Sequence, residues 1–256
     1  MSITVIALAS GSSGNCTYVE AGGARLLFDA GISGAQAQNR LAQRGRDIRD
    51  VDAVIISHDH RDHASCAGVY HRKFSLPVYI TKNTLQRAGS SGSLGAIADL
   101  RTFEAGGTLK FDGLSVQTIP TPHDAADGVV FVVGSDGRRL GIFTDLGHVF
   151  AGLGELMGTL DAVLLESNHD VEMLRAGPYP SWLKRRVRGV GGHLSNDEAA
   201  KLLAGCGCGL QWACLGHLSE KNNHPDVALD AHRRSVGRYL PISVAGRYEP
   251  TAPLTV

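Results

Sequence analysis

The sequence lacks the features that would place it in a membrane or outside the cell. None of its apolar runs approaches the length of a membrane span, and its first residues lack the basic region and apolar core of a signal peptide. The five cysteines are odd in number and are not spaced as a disulfide framework: Cys16, Cys66, Cys206, Cys208 and Cys214. These absences predict reduced thiols, a cytoplasmic location and no membrane partner.

The chain also lacks an excess of charge of either sign. Its 25 basic residues balance 25 acidic ones, so any attraction to nucleic acid must come from a local patch. No low-complexity linker and no clear repeat interrupts the 256 residues, a length that can bury a substantial core. We therefore expect a single domain over residues 1–256.

Strand patterns alternate with helix patterns along the chain. Strands are predicted at 3–9, 17–20, 25–28, 51–56, 78–81, 161–165, 210–215 and 242–245, with a meander of strands over 101–144. Helices are predicted at 35–44, 63–72, from 83 to 89, and at 150–157, 182–188 and 226–239, with others starting at Val171 and after Ser195. Asp112-Gly113 and Asp136-Gly137 are hairpin signals, and Gly89-Ser-Ser-Gly-Ser93 predicts a flexible loop. Two packed sheets with helices on their outer faces fit this order.

The most informative stretch runs from Asp52 to His63. It begins as an apolar, β-branched strand and ends with three histidines and two aspartates in six positions, His58-Asp-His60-Arg-Asp62-His63. His58 and His60 share a face of an extended segment, whereas Asp62 and His63 reach a neighbouring point. Imidazole and carboxylate ligands suit Zn, Mn or Fe, and two ligand sets indicate two ions.

Further polar residues follow other predicted strands, where one edge of a sandwich would collect them. His123, Asp145, Glu166 and His217 each come at a strand end. Asp29 follows the first hairpin and is either a turn residue or a partner that orients a ligand histidine.

Taken together, these residues resemble the signature of the metallo-β-lactamase fold, in the family's chain order. The resemblance implies a four-layer αββα sandwich of two mixed sheets, in the α/β (α+β) class, with a dinuclear site at one edge. It assigns the first ion to His58, His60 and His123, the second ion to Asp62, His63 and His217, and the bridging position to Asp145. A bridging carboxylate is more similar to the nuclease and phosphodiesterase branches than to the true lactamases.

Several motifs resemble the YycJ/WalJ group, which is related to RNase J and tRNase Z. They are Ala9-Ser-Gly-Ser-Ser-Gly-Asn15, Glu166-Ser-Asn-His-Asp170, Gly177-Pro-Tyr-Pro180, Gly192-His-Leu-Ser-Asn196 and the segment from His217 to Asn223. That group is associated with 5′-to-3′ exonuclease action on DNA, so the resemblance implies DNA as the substrate. The span between Asp145 and His217 leaves no room for the large cap domain of RNase J.

The resemblance also implies a mechanism. Two cations, Zn or Mn or else Fe, would share a hydroxide that attacks the phosphodiester, and Asp62 would act in catalysis as well as in metal binding. Glu166 and His193 resemble a pair in which a carboxylate orients an imidazole that serves as general acid or phosphate contact. The alternative is that Glu166 only caps and His193 only bonds a turn. Substrate contacts are expected from Ser12, Asn15, Ser195 and Asn222.

Other interpretations of the sequence stay open. A small-molecule hydrolase, acting on a cyclic nucleotide, phosphate ester or other ester, would use the same ligands. The neutral net charge is compatible with it, whereas the basic run at 184–188 and Asn222-Asn223 count against it. A non-catalytic metal-binding protein and a mononuclear iron oxygenase fit the ligand set less well. The basic run Lys184-Arg185-Arg186-Val-Arg188 either binds a phosphate backbone or forms a solvated helix face. The sequence leaves the oligomeric state open.

Overall fold

A computed structural model of the chain describes residues 2–90 and 94–256. The predicted glycine–serine loop is only partly covered: the preceding helix ends at Gly89 as expected, and residues 91–93 lie outside the described residues. In chain order the first part contains β1 (Thr4–Ala9), β2 (Cys16–Ala21), β3 (Ala24–Phe28), α1 (Gly34–Ala42), a 3₁₀ helix (Ile48–Asp50), β4 (Ala53–Ile55), α2 (Arg61–Ala64), α3 (Ala67–Phe74), β5 (Val78–Thr81), α4 (Lys82–Gly89) and β6 (Leu100–Phe103).

The second part begins with an antiparallel meander and continues with alternating strands and helices. Its elements are β7 (Thr108–Phe111), β8 (Leu114–Pro120), β9 (Val129–Ser135), β10 (Arg138–Phe143), α5 (Leu153–Met157), β11 (Ala162–Glu166), α6 (Val171–Ala176), α7 (Ser181–Val187), α8 (Asn196–Cys206), β12 (Trp212–Gly216), α9 (Pro225–Val236), β13 (Ile242–Val244) and β14 (Leu254–Thr255).

Two seven-stranded sheets form the centre of the molecule, with strand orders β14-β1-β2-β3-β4-β5-β6 and β13-β12-β11-β10-β9-β8-β7. Both sheets are mixed: β3 to β6 and β10 to β13 pair in parallel, and the remaining neighbours are antiparallel. Loops at the carboxyl ends of the parallel strands therefore gather at an edge of each sheet. This arrangement confirms the predicted pair of mixed sheets flanked by helices.

Three apolar layers explain why the strands read as nearly continuous hydrophobic runs. In β1, Val5 and Ala7 belong to the core between the sheets, whereas Ile6 and Leu8 pack with helix residues on the outer face. The second sheet repeats this pattern and buries its outer face against α5 and α8. Because both faces of each sheet are covered, period-2 alternation produces apolar residues at every position.

Two features differ from the sequence prediction. The helix expected over 63–72 is two helices, α2 and α3, because the backbone N–H of Cys66 bonds to Ala30 O at 2.9 Å instead of continuing the helix. The second is β14, a two-residue strand that pairs with β1 and was not predicted. Both depend on distant partners that local periodicity does not reveal.

The predicted hairpins are confirmed. Asp136 and Gly137, with φ of +49° and +79°, form a two-residue turn between β9 and β10 of the kind that suits Asp-Gly. All five cysteines are free thiols. Within residues 2–90 and 94–256, no helix combines the length and apolar character needed to cross a bilayer.

Candidate metal centre

Seven imidazole and carboxylate side chains converge where strands of both sheets end. The segments that carry them follow β4, β8, β10 and β12. The structure brings together every residue for which the sequence predicts metal binding: His58, His60, Asp62, His63, His123, Asp145 and His217.

The first group consists of His58, His60 and His123. Their donor nitrogens lie within 4.8 Å of one another, and His60 Nδ1 is 3.2 Å from His123 Nε2. The other nitrogen of two of these rings is occupied: Ser57 Oγ lies 2.9 Å from His58 Nδ1, and Gly192 O lies 3.0 Å from His123 Nδ1. These contacts fix which nitrogen faces the group.

The second group consists of Asp62, His63 and His217. His217 Nε2 and His63 Nε2 lie 3.4 Å and 3.6 Å from Asp62 Oδ2. Asp29 Oδ2 lies 2.8 Å from His63 Nδ1, and its carboxylate also accepts hydrogen bonds from Ser57 N–H and Oγ. Asp29 thus orients a ligand histidine, one of the two roles that the sequence left open.

Asp145 lies between the two groups. Its Oδ2 is 3.1 Å from His63 Nε2, and its Oδ1 is 3.4 Å from His123 Nε2. The residue is 2% exposed. It has φ of +58°, and Asp29 and His217 share this left-handed conformation with φ of +66° and +54°. One carboxylate therefore faces both groups, as a bridging ligand would.

The donor set fits two divalent cations. A tetrahedral ion with metal–nitrogen bonds of about 2.0–2.1 Å keeps its ligand atoms roughly 3.3 Å apart. The donor pairs described above are separated by 3.1 to 3.6 Å, and all donor atoms of each group lie within 4.8 Å of one another. His58 Nε2 and Asp145 Oδ2 are buried without a hydrogen-bond partner among the described residues. A buried polar atom without a partner is costly, and a cation would satisfy both.

Burial and neighbouring charge shift the pKa values of these groups in opposite directions. Burial, reinforced by His63, lowers the pKa of His58 well below its usual range. Burial alone would lower the pKa of His217 and raise that of Asp145, but their mutual attraction wins: the pKa of His217 rises to about 10 and that of Asp145 falls well below its usual range. Because ligand imidazoles must be neutral, a cation that bound at the second group would displace protons.

Glu166 and His193 form a hydrogen-bonded pair beside the second group. His193 Nδ1 lies 2.7 Å from Glu166 Oε1, and His217 Nδ1 lies 3.1 Å from the same oxygen. Burial would raise the pKa of Glu166, but the charge of His193 and hydrogen bonds from both histidines lower it to about 2. Glu166 is therefore an ionised carboxylate that orients two imidazoles.

Glu166 is better suited to this orienting role than to metal binding. Asp145, Glu166, His193 and His217 also offer ligand atoms within 4.8 Å of one another. However, Glu166 Oε2 accepts the N–H groups of Leu146 and Leu194 at 3.0 and 3.2 Å, and Oε1 contacts the two imidazoles. Both oxygens are already used within the protein.

The predicted substrate contacts separate into one exposed residue and three buried ones. Ser12 is exposed and lines a cavity of about 160 Å³ that His193 also lines. Asn15 is 5% exposed. Its Oδ1 accepts from Gly11 N–H at 2.9 Å, and its Nδ2 lies 3.4 Å from Asp62 Oδ2 and 2.9 Å from His63 Nε2. Asn15 is used inside the protein, so we revise its expected role from substrate contact to positioning of the second group.

Ser195 and Asn222 are also engaged within the protein. Ser195 Oγ accepts from Glu198 N–H at 3.3 Å and donates to Glu198 Oε2 at 2.6 Å, the capping box that the sequence predicts. Asn222 is 1% exposed, donates from Nδ2 to Ser219 Oγ at 3.3 Å, and packs directly against Gly177. Neither residue lines the cavity that Ser12 lines, but Ser195 lines a second cavity of about 450 Å³ that His193 also lines. The substrate contact expected of Ser195 therefore stays a prediction beside its capping role, whereas for Asn222 we propose a supporting role.

Sequence reasoning missed two features of this cavity. Arg186, from the basic run, is paired with Asp124: its Nε lies 2.5 Å from Asp124 Oδ2. Tyr179 lines the same cavity. The motif Gly177-Pro-Tyr-Pro180 and the basic run were the available signals, but neither indicates which cavity its residues line.

Comparisons with known proteins agree with this geometry. Residues 24–217 match the family model described as Beta-lactamase superfamily domain. The chain is 36% identical over 224 residues to "Exodeoxyribonuclease WalJ" of Streptococcus pneumoniae, which covers 86% of this chain and 83% of that protein. It is 35% identical over 236 residues to "Exodeoxyribonuclease YycJ" of Bacillus anthracis, which covers 91% of this chain and 87% of that protein.

One solved structure extends the likeness to the whole fold. The metallo-beta-lactamase fold protein YhfI from Bacillus subtilis is similar with a TM-score of 0.73, at 15% identity, and covers 97% of this chain and 99% of that one. At such low identity the likeness concerns the fold alone, and that fold is the one that the sequence predicts.

Proposed function

Because the chain belongs to the β-lactamase superfamily, in the group of the WalJ and YycJ relatives, we propose that it is a metal-dependent phosphodiesterase that degrades DNA from its 5′ end. The observation that carries the proposal is Asp145, whose two oxygens face two separate histidine groups at 3.1 and 3.4 Å. Two adjacent cation sites suit in-line displacement at a phosphodiester.

The seven clustered side chains would hold two divalent ions, with Zn or Mn as the first candidates and Fe as the third. When bound, such ions lower the pKa of water and neutralise charge on the phosphoryl group. The chain positions the remaining participants. Asn15 holds the Asp62 carboxylate, which is the most exposed of the predicted carboxylate ligands and can accept the proton of the attacking water.

His193 would act on the leaving group. Glu166 holds its Nδ1, so Nε2 is the nitrogen that can donate a proton to the oxygen released when the P–O bond breaks. The ionised Glu166 stabilises the charged imidazole before transfer. Its burial keeps this pair in one orientation.

The proposal is tested with single- and double-stranded DNA labelled at the 5′ or the 3′ end, in Mn²⁺ or Zn²⁺. We expect mononucleotides to appear first from the 5′ terminus, and Asp145→Ala protein prepared in parallel to release none. Digestion from the 3′ end would overturn the polarity. RNA of the same sequence, run beside the DNA, tests the choice of nucleic acid.

A small-molecule hydrolase is the second candidate, because the balance of 25 basic and 25 acidic residues provides no global attraction to DNA. If the protein is a small-molecule hydrolase, we expect it to leave DNA intact and to hydrolyse bis-nitrophenyl phosphate. We further propose that the protein works in the cytoplasm as one domain, in keeping with its five free thiols.

A further inference from the structure

Three sequence motifs without a role in metal binding meet at the cavity beside His193. Tyr179 comes from the Gly177–Pro180 motif, Arg186 from the basic run on α7, and Ser219 from the segment after β12. The cavity has a volume of about 160 Å³, close to the roughly 150 Å³ of an engineered cavity that binds benzene. It is therefore large enough for one aromatic ring.

The walls of the cavity differ in character. Tyr179, Leu183 and Val187 contribute aromatic and aliphatic surface to the lining, whereas Ser12 and Ser219 contribute hydroxyl groups. His193, which Glu166 orients, also lines it. A nucleobase has an apolar face and hydrogen-bonding edges, so it matches a cavity that offers both apolar and hydroxyl side chains beside the phosphodiester site.

The backbone around Tyr179 is rigid. Pro178 and Pro180 flank the residue, and Pro180 has φ of −63° and ψ of +155°. A proline fixes its own φ and restricts the residue before it to extended conformations. Tyr179 thus lies between two prolines at the entrance to α7, and their restriction of its backbone lowers the entropic cost of presenting its ring.

Asn222 and Gly177 anchor this segment to the loop that carries the metal ligand His217. A Cβ at Gly177 would overlap Asn222 Oδ1 and would lie 2.6 Å from Met173 O. The backbone of Asn222 accepts from Asp170 N–H at 2.9 Å. This packing ties the position of Tyr179 to that of the metal centre.

One residue of the basic run, Arg186, lines the cavity, together with its partner Asp124. α7 carries Lys184, Arg185 and Arg186 in its last turn, and Asp124 holds Arg186 in a two-point contact at 2.5 and 3.2 Å. A guanidinium held in this way is placed to meet a phosphate oxygen. The oriented guanidinium and the ring-sized cavity together fit a nucleotide better than an uncharged ester.

We propose that this cavity binds the base of the terminal nucleotide, stacked on the Tyr179 ring. The inference rests on the proposed nuclease function and deepens it by naming what the enzyme recognises beyond the phosphodiester. Stacking tolerates any base because every base presents a π-face. The enzyme therefore recognises that a terminal base is present and does not select which base it is.

The test compares two single-stranded oligodeoxynucleotides that differ only in whether the 5′-terminal nucleotide carries 2-aminopurine or is abasic. Binding is measured with phosphorothioate-protected versions, and cleavage with unprotected ones. The wild-type protein is expected to bind the base-bearing end roughly 10- to 100-fold more tightly than the abasic end, with quenching of 2-aminopurine fluorescence. Tyr179→Ala should lose both the discrimination and the quenching, whereas Tyr179→Phe should keep them.

Tyr239→Ala is the matched control, because Tyr239 is 98% exposed and lines a different cavity. Discrimination that survives in Tyr179→Ala would overturn the inference, as would equal binding of both oligonucleotides by the wild type. Failure of the wild type to cut either DNA would overturn the nuclease proposal instead. If the wild type cut neither DNA but still bound the base-bearing oligonucleotide more tightly than the abasic one, the binding result would still support the base-binding cavity.

Discussion

At the scale of single residues, the ligand histidines do not all present the same nitrogen. His58, His63, His123 and His217 each bond a protein group through Nδ1 and leave Nε2 toward the site, whereas His60 presents Nδ1. The partners are a serine, two carboxylates and a backbone carbonyl. Since each partner fixes the ring and the tautomer, replacing a partner should misorient the ligand without removing it.

Asp145→Ala tests the bridging arrangement. Losing the carboxylate whose two oxygens face both groups should remove most of both metals and abolish turnover. Metal content is measured by mass spectrometry after gentle purification, with about two ions per wild-type chain expected. Asp145→Asn, which keeps one neutral oxygen, should retain more metal than Asp145→Ala. A wild-type chain without transition metal would contradict the assignment.

His193→Ala separates chemistry from metal binding. The variant should keep its metal content, because His193 Nδ1 bonds Glu166 at 2.7 Å and lies farther, 3.5 Å, from the predicted ligand Asp145, and it should slow DNA cleavage about 10²- to 10⁴-fold. His148→Ala is the control, since His148 Nδ1 bonds Val190 O outside the cluster. Unchanged rates in His193→Ala would remove its proposed role.

The positions of the candidate metal ligands were predictable because each follows an apolar strand and carries a metal-binding side chain. The roles of the side-chain amides could not be predicted in this way. Asn15 and Asn222 occur in motifs beside the site, but whether an amide faces solvent or a neighbouring loop depends on backbone groups that come from elsewhere in the chain. Asp62 for Asn15 and Gly177 for Asn222 are such distant partners.

At the scale of elements, the signals that worked were those whose cause is local. The hairpin at Asp136-Gly137 depends on two adjacent residues, and the capping box of α8 depends on residues three apart. The break between α2 and α3 and the pairing of β14 depend on Ala30 and on β1. No periodicity within a segment encodes a partner from another part of the chain.

Ser195→Ala tests whether this residue acts as a helix cap. Loss of the cap should lower the free energy of unfolding by about 1 kcal/mol, while Ser195→Thr should keep most of it. Urea unfolding measures the stability, and KM for DNA is measured on the same proteins. A rise in KM without loss of stability would instead support the substrate contact predicted for Ser195.

At the scale of the whole molecule, the metal centre joins the two sheets. The first sheet contributes His58, His60, Asp62 and His63 after β4, and the second contributes His123, Asp145 and His217 after β8, β10 and β12. Each of the two groups therefore contains residues from both sheets. Cation binding should therefore stabilise the packing of the sheets against each other.

Acid sensitivity also belongs to the whole fold. His232 is fully buried, and burial lowers its pKa to about 4. Above pH of about 6.5 the residue is neutral whether the chain is folded or unfolded, so it does not affect stability there. Below that pH only the unfolded chain gains the proton, and stability is lost until about pH 4.

The variant His232→Leu should resist this loss. Between pH 7.5 and pH 5 its free energy of unfolding should fall by about 2 kcal/mol less than that of the wild type. Ser167 Oγ keeps its hydrogen bond to Asn196 Oδ1 at 2.7 Å in the absence of the imidazole. Parallel urea titrations at the two pH values give the comparison, and identical declines would show that His232 is not responsible.

The left-handed conformation of Asp29, Asp145 and His217 limits how this centre could be transplanted by design. Each such residue costs of order 1–3 kcal/mol relative to a relaxed backbone, and the surrounding layers must hold it in place. A designer who copied only the side-chain identities onto ordinary strand ends would aim the imidazole and carboxylates elsewhere. A transplanted site would therefore need the left-handed residue after each of the three strands, together with the packed core that holds those residues in that conformation.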